Sequence, residues 1–186
     1  MKEDSVERLF VASLRKALEE IAPERLDVFE TWFPAGDRRP RFHIAPVMGA
    51  VSYLSRDPAF YKKVMKEAGR TASTWCYQHL SKVERKLWST APRFGRERAV
   101  QRLLRSGLKN IQRDGRLGAR RAGGKLLLTV SNSLFCRTVS GNGPVCLYYE
   151  ALFAGLMGQA ALRWSLVVES SCGGSGRSEC RFEASS

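Results

Sequence analysis

The residues of this chain best suited to chemistry are sulfur donors near its carboxyl end: Cys146, Cys172 and Cys180, with Glu169 among them. Zinc accepts thiolate, imidazole and carboxylate, so three sulfurs and one oxygen make a tetrahedral set for it. The spacing is not that of a zinc finger or ribbon, whose ligands come as two close Cys pairs. Cysteines also serve as small buried hydrophobes, and that role accounts for the same residues without an ion. Cys136 precedes Cys146 by ten residues and supplies a further sulfur. Cys136, Cys146, Cys172 and Cys180 together would suit zinc or an iron–sulfur cluster, although iron–sulfur runs show tighter spacing. Cys76, beside Trp75, reads as buried packing.

Catalytic spacing is missing. The sequence has no nucleophile elbow, phosphate loop or dinucleotide motif, and its two histidines are His43 and His79. His43, in a proline-flanked loop, suits a surface or capping role. His79 and Trp75 are four apart and share a helix face. His79 reads either as a satisfied histidine lining the core or as a polar contact in an apolar pocket. A pocket would be drawn from Trp75, His79, Phe94, Tyr149 and Phe153, part of an aromatic set that also includes Phe60, Tyr61, Trp88 and Tyr148. Aromatics at helical spacing equally form a core. An enzyme is not the expectation.

The elements that must position these residues change period midway. Val6, Leu9, Phe10, Leu14, Ala17, Leu18 and Ile21 recur at helical spacing, with Asp4 or Ser5 placed to cap and Pro23 to stop the helix. Residues 24–34 have no assignable type, 37–40 form a loop, and 44–54 form a short helix interrupted by Pro46. Asp57-Pro58 starts a helix that could reach Val83; its Gly69, Ala72 and Ser73 permit close approach of a neighbour. Pro92 and Gly95 break the chain, and Arg96 to Ser106 is a helix ended by Gly107. Gly123-Gly124 joins two strands, 115–120 and 125–130, as a hairpin. Pro144 begins an apolar helix, residues 164–170 are strand-like, and 180–183 pair back against them across the Gly-rich turn from Gly173. Cys146 then falls in the first helical turn, where the dipole favours a thiolate. Glu169 and Cys172, three apart, would point to opposite faces of an unbroken strand, so both reach one ion only where the strand ends or bends.

The segment Pro144-Val145-Cys146, then Glu169-x-x-Cys172, then seven residues and Cys180-Arg181-Phe182-Glu183, resembles the 4-vinyl-reductase-type domain family. The likeness runs from Arg102 to Glu183. Asn132-Ser133-Leu134-Phe135 is similar to the family's Asn-Ser-Pro-Phe strand end, with Leu134 in place of the proline. The family is a bacterial and archaeal small-molecule-binding domain of TRAPP-like α/β (α+β) fold, with helices on one side of a small, mostly antiparallel sheet. It forms the sensor part of regulators that detect phenolic and other aromatic compounds. In those sensors three Cys and one Glu hold zinc, which maps onto Cys146, Glu169, Cys172 and Cys180. Four protein ligands imply a structural ion. The resemblance also implies a homodimer formed through helices, with the amino-terminal helix as its expected surface. The pocket histidine and tryptophan of the phenol sensors have no counterpart: counting back from Cys146 reaches Glu97 and Lys125.

By length the chain is one domain, residues 1–186, with a mainly helical half (1–95) and a core resembling the family (96–184). It carries a net charge of +13. Residues 82–125 hold fourteen bases against three acids, +11 of that total, including Arg93, Arg96, Arg98, Arg102, Arg105, Arg120 and Arg121. Such a cluster suits nucleic acid, an anionic membrane surface, an acidic partner, a carboxylated ligand or simply water. No signal peptide or membrane span is visible, and an odd count of five cysteines favours reduced thiols, hence the cytoplasm. The leading expectation is a non-catalytic module binding a small hydrophobic or aromatic molecule, acting as sensor or carrier through a protein partner. An alternative is an accessory or 4-vinyl-reductase-type protein of bacteriochlorophyll (tetrapyrrole) biosynthesis, its basic window meeting porphyrin propionates. No flavin or nicotinamide motif supports reduction. Nucleic-acid binding rests on charge alone and ranks last.

Overall fold

The computed structural model describes residues 5–90, 93–137, 145–160, 164, 166–172 and 179–185. The first apolar stripe forms helix α1 (Arg8–Ile21), which buries Phe10, Val11, Leu14, Ala17 and Leu18. It starts later than its spacing suggests, and Ser5 does not cap it; Asp4 lies outside the described residues. Ser5–Glu7 is strand β1, paired antiparallel with β2 (Arg41–His43). Val6 is buried between two less buried neighbours, the period of a strand. His43 ends β2 and occupies the N-cap position of the next helix, without a side-chain cap bond.

Pro23 ends α1 as expected and opens a 3-10 turn, after which the untyped stretch is helix α2 (Leu26–Trp32). Helix α3 (Ile44–Ser55) is not interrupted by Pro46. The proline falls in the first turn, where backbone N–H groups have no intrahelical acceptor to lose. Helix α4 (Pro58–Gln78) begins as Asp57-Pro58 requires, the carboxylate accepting the Phe60 N–H at 3.0 Å. It stops short of Val83 because Ser81 and Glu84 cap a new helix, α5 (Lys82–Thr90), reciprocally: the Glu84 carboxylate accepts the Ser81 N–H and the Ser81 hydroxyl accepts the Glu84 N–H. Helix α6 (Arg93–Lys109) runs through both Gly95 and Gly107. Gly107 is a site of close packing rather than a stop, since a Cβ there would lie 2.5 Å from Leu156 Cδ1. Pro92 lies outside the described residues.

Strands β3 (Arg116–Ala122) and β4 (Lys125–Ser131) form the expected hairpin, with Gly123 and Gly124 at φ of 57° and 78°. β5 (Leu166–Ser171) and β6 (Glu179–Ser185) complete an antiparallel sheet of order β3-β4-β6-β5. β6 pairs back on β5 as expected and also inserts beside β4. Leu126, Leu128, Val130, Val167, Phe182 and Ala184 point inward, whereas Leu166 and Val168 are exposed on the outer face. Helices α6 and α7 (Leu147–Gln159) contact the inner face, and α4 packs on α7. Helices thus lie on one side of an antiparallel sheet, the α/β class expected.

Helix α7 is apolar along most of its surface and eight of its 13 residues are buried, its small residues Ala151, Ala154, Gly155 and Gly158 being among the less buried ones. Tyr149 stacks on Phe153 at 5.9 Å, and Tyr148 packs on Phe10 of α1 at 5.0 Å. The apolar face of α1 is covered by α4 and α7 within the same chain. That removes the amphipathic stripe as a reason to place a dimer surface there. No helix among the described residues is long and apolar enough to cross a membrane.

The α4–α7 contact depends on small residues facing each other. A Cβ on Gly69 would meet the Tyr148 carbonyl oxygen and lie 2.8 Å from the Ala151 Cβ, and one on Gly155 would meet Ser73. Backbone atoms cannot rotate away. Gly69→Ala is therefore expected to destabilise by about 1–3 kcal/mol despite its better helix propensity. Gly158→Ala on α7, with nothing within 4 Å of the new methyl, is expected to stabilise by up to about 1 kcal/mol. Urea unfolding of the two variants should move the midpoint in opposite directions; a shared sign would contradict the packing described.

Candidate metal centre

Four cysteine sulfurs from separate stretches of chain meet in the interior. Cys136 sits in the 3-10 turn Phe135–Arg137 after β4, and Cys146 is the residue that precedes α7. Cys172 follows β5, and Cys180 is the second residue of β6. All four Sγ atoms lie within 4.8 Å of one another. The separations are 3.6 Å (Cys136–Cys146), 3.3 Å (Cys136–Cys172), 3.9 Å (Cys146–Cys172), 3.3 Å (Cys146–Cys180) and 3.9 Å (Cys172–Cys180). A tetrahedral zinc with Zn–S bonds of about 2.3 Å has its sulfurs about 3.8 Å apart. The donor set therefore fits such an ion in type, number and spacing, and all five cysteines are free of disulfides.

Glu169 stands against this cluster and makes a backbone latch. Its Oε2 accepts the Cys146 N–H at 2.9 Å, while Glu150 Oε1 on α7 accepts the Glu169 N–H at 2.6 Å. Strand and helix thus each supply a carboxylate to the other's main chain. The remaining Glu169 oxygen, Oε1, is buried with no hydrogen bond. The set of mutually close donors contains Cys136 and not Glu169, so the structure adds the sulfur that spacing had offered as an alternative. Glu169 and Cys172 reach the same region because the β5–β6 register shifts between Glu169 and Ser171. This bulge is the bend their three-residue separation demands. Cys146 lies one residue before the helix rather than inside its first turn. Pro144 and the Gly173 turn are outside the described residues.

The electrostatics follow from crowding. Burial pushes the Cys146 thiol well up, and its three sulfur neighbours add to that. Cys136, more exposed, is held well down by hydrogen bonds from Cys146, Cys172 and Cys180. One thiolate stabilised by surrounding thiols is the arrangement this describes. Burial also raises the Glu169 carboxyl, opposed by the Cys146 N–H. Tyr61 of α4 fixes the approach to α7, donating its hydroxyl to the Val145 carbonyl at 2.7 Å.

One positioning residue has no sequence signal. Gln112 follows α6 and is 1% exposed, where glutamine ordinarily sits on the surface. Its Nε2 donates to the Asn132 carbonyl at 2.5 Å, and its Oε1 accepts the Leu134 N–H at 3.0 Å and the Tyr149 hydroxyl at 2.9 Å. These bonds hold the turn that delivers Cys136, in which Asn132 adopts φ of 59°. Ser133 of the same turn contacts the Cys146 sulfur at 3.4 Å.

Among the described residues, those expected to line a pocket are not brought together. Tyr149 and Phe153 are fully buried in the aromatic core. Trp75 and His79 lie at the outer end of α4, His79 Nδ1 donating to the Trp75 carbonyl at 2.7 Å. The Phe94 side chain, with those of Arg93 and Arg96, is outside the described residues. Apolar periodicity does not distinguish a core helix from a pocket wall, which is why α7 read as both. Arg98, Arg102 and Arg105 are exposed on α6, Arg120 and Arg121 on β3; Arg105 donates to the Leu117 carbonyl. Cys76 is buried as expected, its thiol pushed up to about 11 by burial.

No family model matches the sequence, and no curated protein matches it. Among solved structures the chain is similar to the crystal structure of the phenol-responsive sensory domain of the transcription activator PoxR with phenol. The TM-score is 0.55 at 15% identity, over 77% of this chain and 74% of that one. At that identity the likeness carries the fold.

Replacing Gln112 with leucine keeps the volume but strands the Asn132 carbonyl and takes the shared Oε1 acceptor away from the Leu134 N–H and the Tyr149 hydroxyl. A loss of about 2–4 kcal/mol is expected, measurable as a fall in the urea midpoint. A change below about 0.5 kcal/mol, the ordinary size of a surface substitution, would remove Gln112 from the frame of the site.

Proposed function

We propose that this chain is a non-catalytic small-molecule-binding module of the 4-vinyl-reductase type, a sensor or carrier whose interior is locked by one structural zinc. The observation that carries the metal part is the sulfur cluster: four donors at tetrahedral spacing, from four stretches of chain. The ligand-binding part is supported by the fold it shares with a phenol-responsive sensory domain, together with the motif around Cys146, Glu169, Cys172 and Cys180. Zinc bound by four protein donors supplies a cross-link and no open coordination position. Cys136 and Cys180 would tie the ion to the sheet's central strands, Cys172 to its edge, and Cys146 to the helix layer.

Two donor sets follow from these residues. In the four-sulfur set, Cys136 completes the tetrahedron and Glu169 holds the Cys146 backbone. In the set implied by resemblance, the orphaned Oε1 of Glu169 is the fourth donor and Cys136 stands outside. The sulfur spacing favours the first. Accordingly Cys136→Ser is expected to lose zinc, whereas Glu169→Gln keeps one ion per chain with affinity reduced by about 10–100-fold, the usual effect of an outer partner. Metal analysis and the thiolate charge-transfer band of the cobalt-substituted protein read this out; the reverse pattern would establish the Glu169 set. Under either set Cys172→Ser and Cys180→Ser lose zinc and melt much lower, and undiminished zinc in both would overturn the site.

The ligand is a small hydrophobic or aromatic molecule, and the functional unit is a homodimer. Leu166 and Val168 on the outer face of β5 are the exposed apolar pair available to such a contact. Native mass spectrometry of the purified protein is expected to show two chains, two zinc ions and retained ligand mass. Phenol and larger apolar aromatics are expected to raise the melting temperature, since binding to the folded state at 100 times Kd adds about 2.7 kcal/mol. No shift with any compound of that panel would refute the ligand class.

A further inference from the structure

A groove of about 450 Å³ opens where the amino-terminal strand, the ends of α4 and α6 and the loop before β2 converge. Its size falls in the range of small-molecule sites, and no residue of the sulfur cluster lines it. Leu9 and Pro40 give it apolar surface, with Cys76 at the end of α4. The polar groups around it are Arg8, Arg38, His79 and Asn110.

The charge of this groove is net positive. Among the described residues neither Arg8 nor Arg38 is in an ion pair, and both are exposed. The one acid on its wall, Glu7, is engaged by Arg41 Nε at 3.1 Å and Arg113 Nε at 3.3 Å. On the wall itself Arg8 and Arg38 stand against Glu7, a net +1 with that carboxylate already engaged; the neighbouring Asp37 feels the Arg8 charge but is bonded to Arg39. His79 Nδ1 donates to the Trp75 carbonyl, so in the neutral ring Nε2 is the acceptor nitrogen. The frame is already hydrogen-bonded. The Arg8 N–H donates to the Pro40 carbonyl at 3.0 Å, the Glu7 N–H to the Ile111 carbonyl at 2.9 Å, and Asn110 Nδ2 to the Cys76 sulfur at 3.8 Å. The backbone of the site is thus set before binding, and the exposed Arg8 and Arg38 side chains are what a ligand would order.

We infer that this groove binds a small organic acid, a carboxylate on an apolar ring, with Arg8 and Arg38 as its anion contacts. Arginine's planar fork matches a carboxylate by two parallel hydrogen bonds. The His79 acceptor suits a hydroxyl on the same ring. The inference names the ligand class and location for the small-molecule reading and rests on that reading; it does not depend on the metal.

Isothermal titration of the full chain, as purified, with benzoate, 4-hydroxybenzoate and phenol separates the outcomes. Both acids are expected to bind saturably at one per chain, and more tightly than neutral phenol. Arg8→Gln/Arg38→Gln is expected to weaken acid binding by about tenfold or more, the effect of losing charge-assisted hydrogen bonds. Its melting temperature and zinc content should stay unchanged. Acid binding that survives the double substitution overturns the site, as does failure of both acids to bind. Where the acids fail but phenol binds, the groove assignment falls and the small-molecule reading stands. Where none of the three binds, both lose their support.

Discussion

Four thiol groups packed around one point constrain each other before they constrain anything else. Ionising more than one of them without a cation sets like charges a few ångströms apart, which burial makes costly. The opposite displacements of Cys136 and Cys146 express that conflict within a single cluster. A divalent ion would resolve it, since each thiolate would then face a positive centre and the binding energy would become folding energy. The arrangement also closes long stretches of chain. Cys136 to Cys172 spans the whole of α7 and β5, and bringing such ends together is an entropic loss that a cross-link offsets.

The reciprocal carboxylate latch does the same work at shorter range. Glu150 and Glu169 exchange acceptors between α7 and β5, so the helix start and the strand are fixed in register before any ion is considered. Close helix packing extends this rigidity outward. Gly69 lets α4 approach the α7 backbone, and α1 then covers α4, so the aromatic core has one arrangement of its rings. The interior is filled largely by these side chains, which leaves polar recognition to the margins where elements end. The groove at Arg8 and Arg38 is such a margin.

Fold likeness and site chemistry carry different weight here. An architecture shared at 15% identity says how the chain is layered, and many unrelated activities use one layering. What narrows the function is the donor set and the placement of charge. The basic excess that dominates the composition is distributed over α6 and β3, with Arg105 turned to a backbone carbonyl. Net charge alone therefore did not identify a partner.

The sequence by itself determined the elements whose signals are local. Asp57-Pro58 starts α4, Pro23 ends α1, and Gly123-Gly124 makes the hairpin, because each acts through its own backbone dihedrals or a hydrogen bond a few residues away. It also marked Cys146, Glu169, Cys172 and Cys180 as a group, and the need for a bend between Glu169 and Cys172. Pro46 and Gly107 misled because a proline in the first turn has no hydrogen bond to break, and a helical glycine can serve packing across space. Only the tertiary structure decided that Cys136 joins the sulfurs, that Gln112 holds its turn, and that Tyr149 and Phe153 are core while His79 faces a groove. Those outcomes depend on which distant segments meet, and side-chain type at one position carries no record of its partners far along the chain.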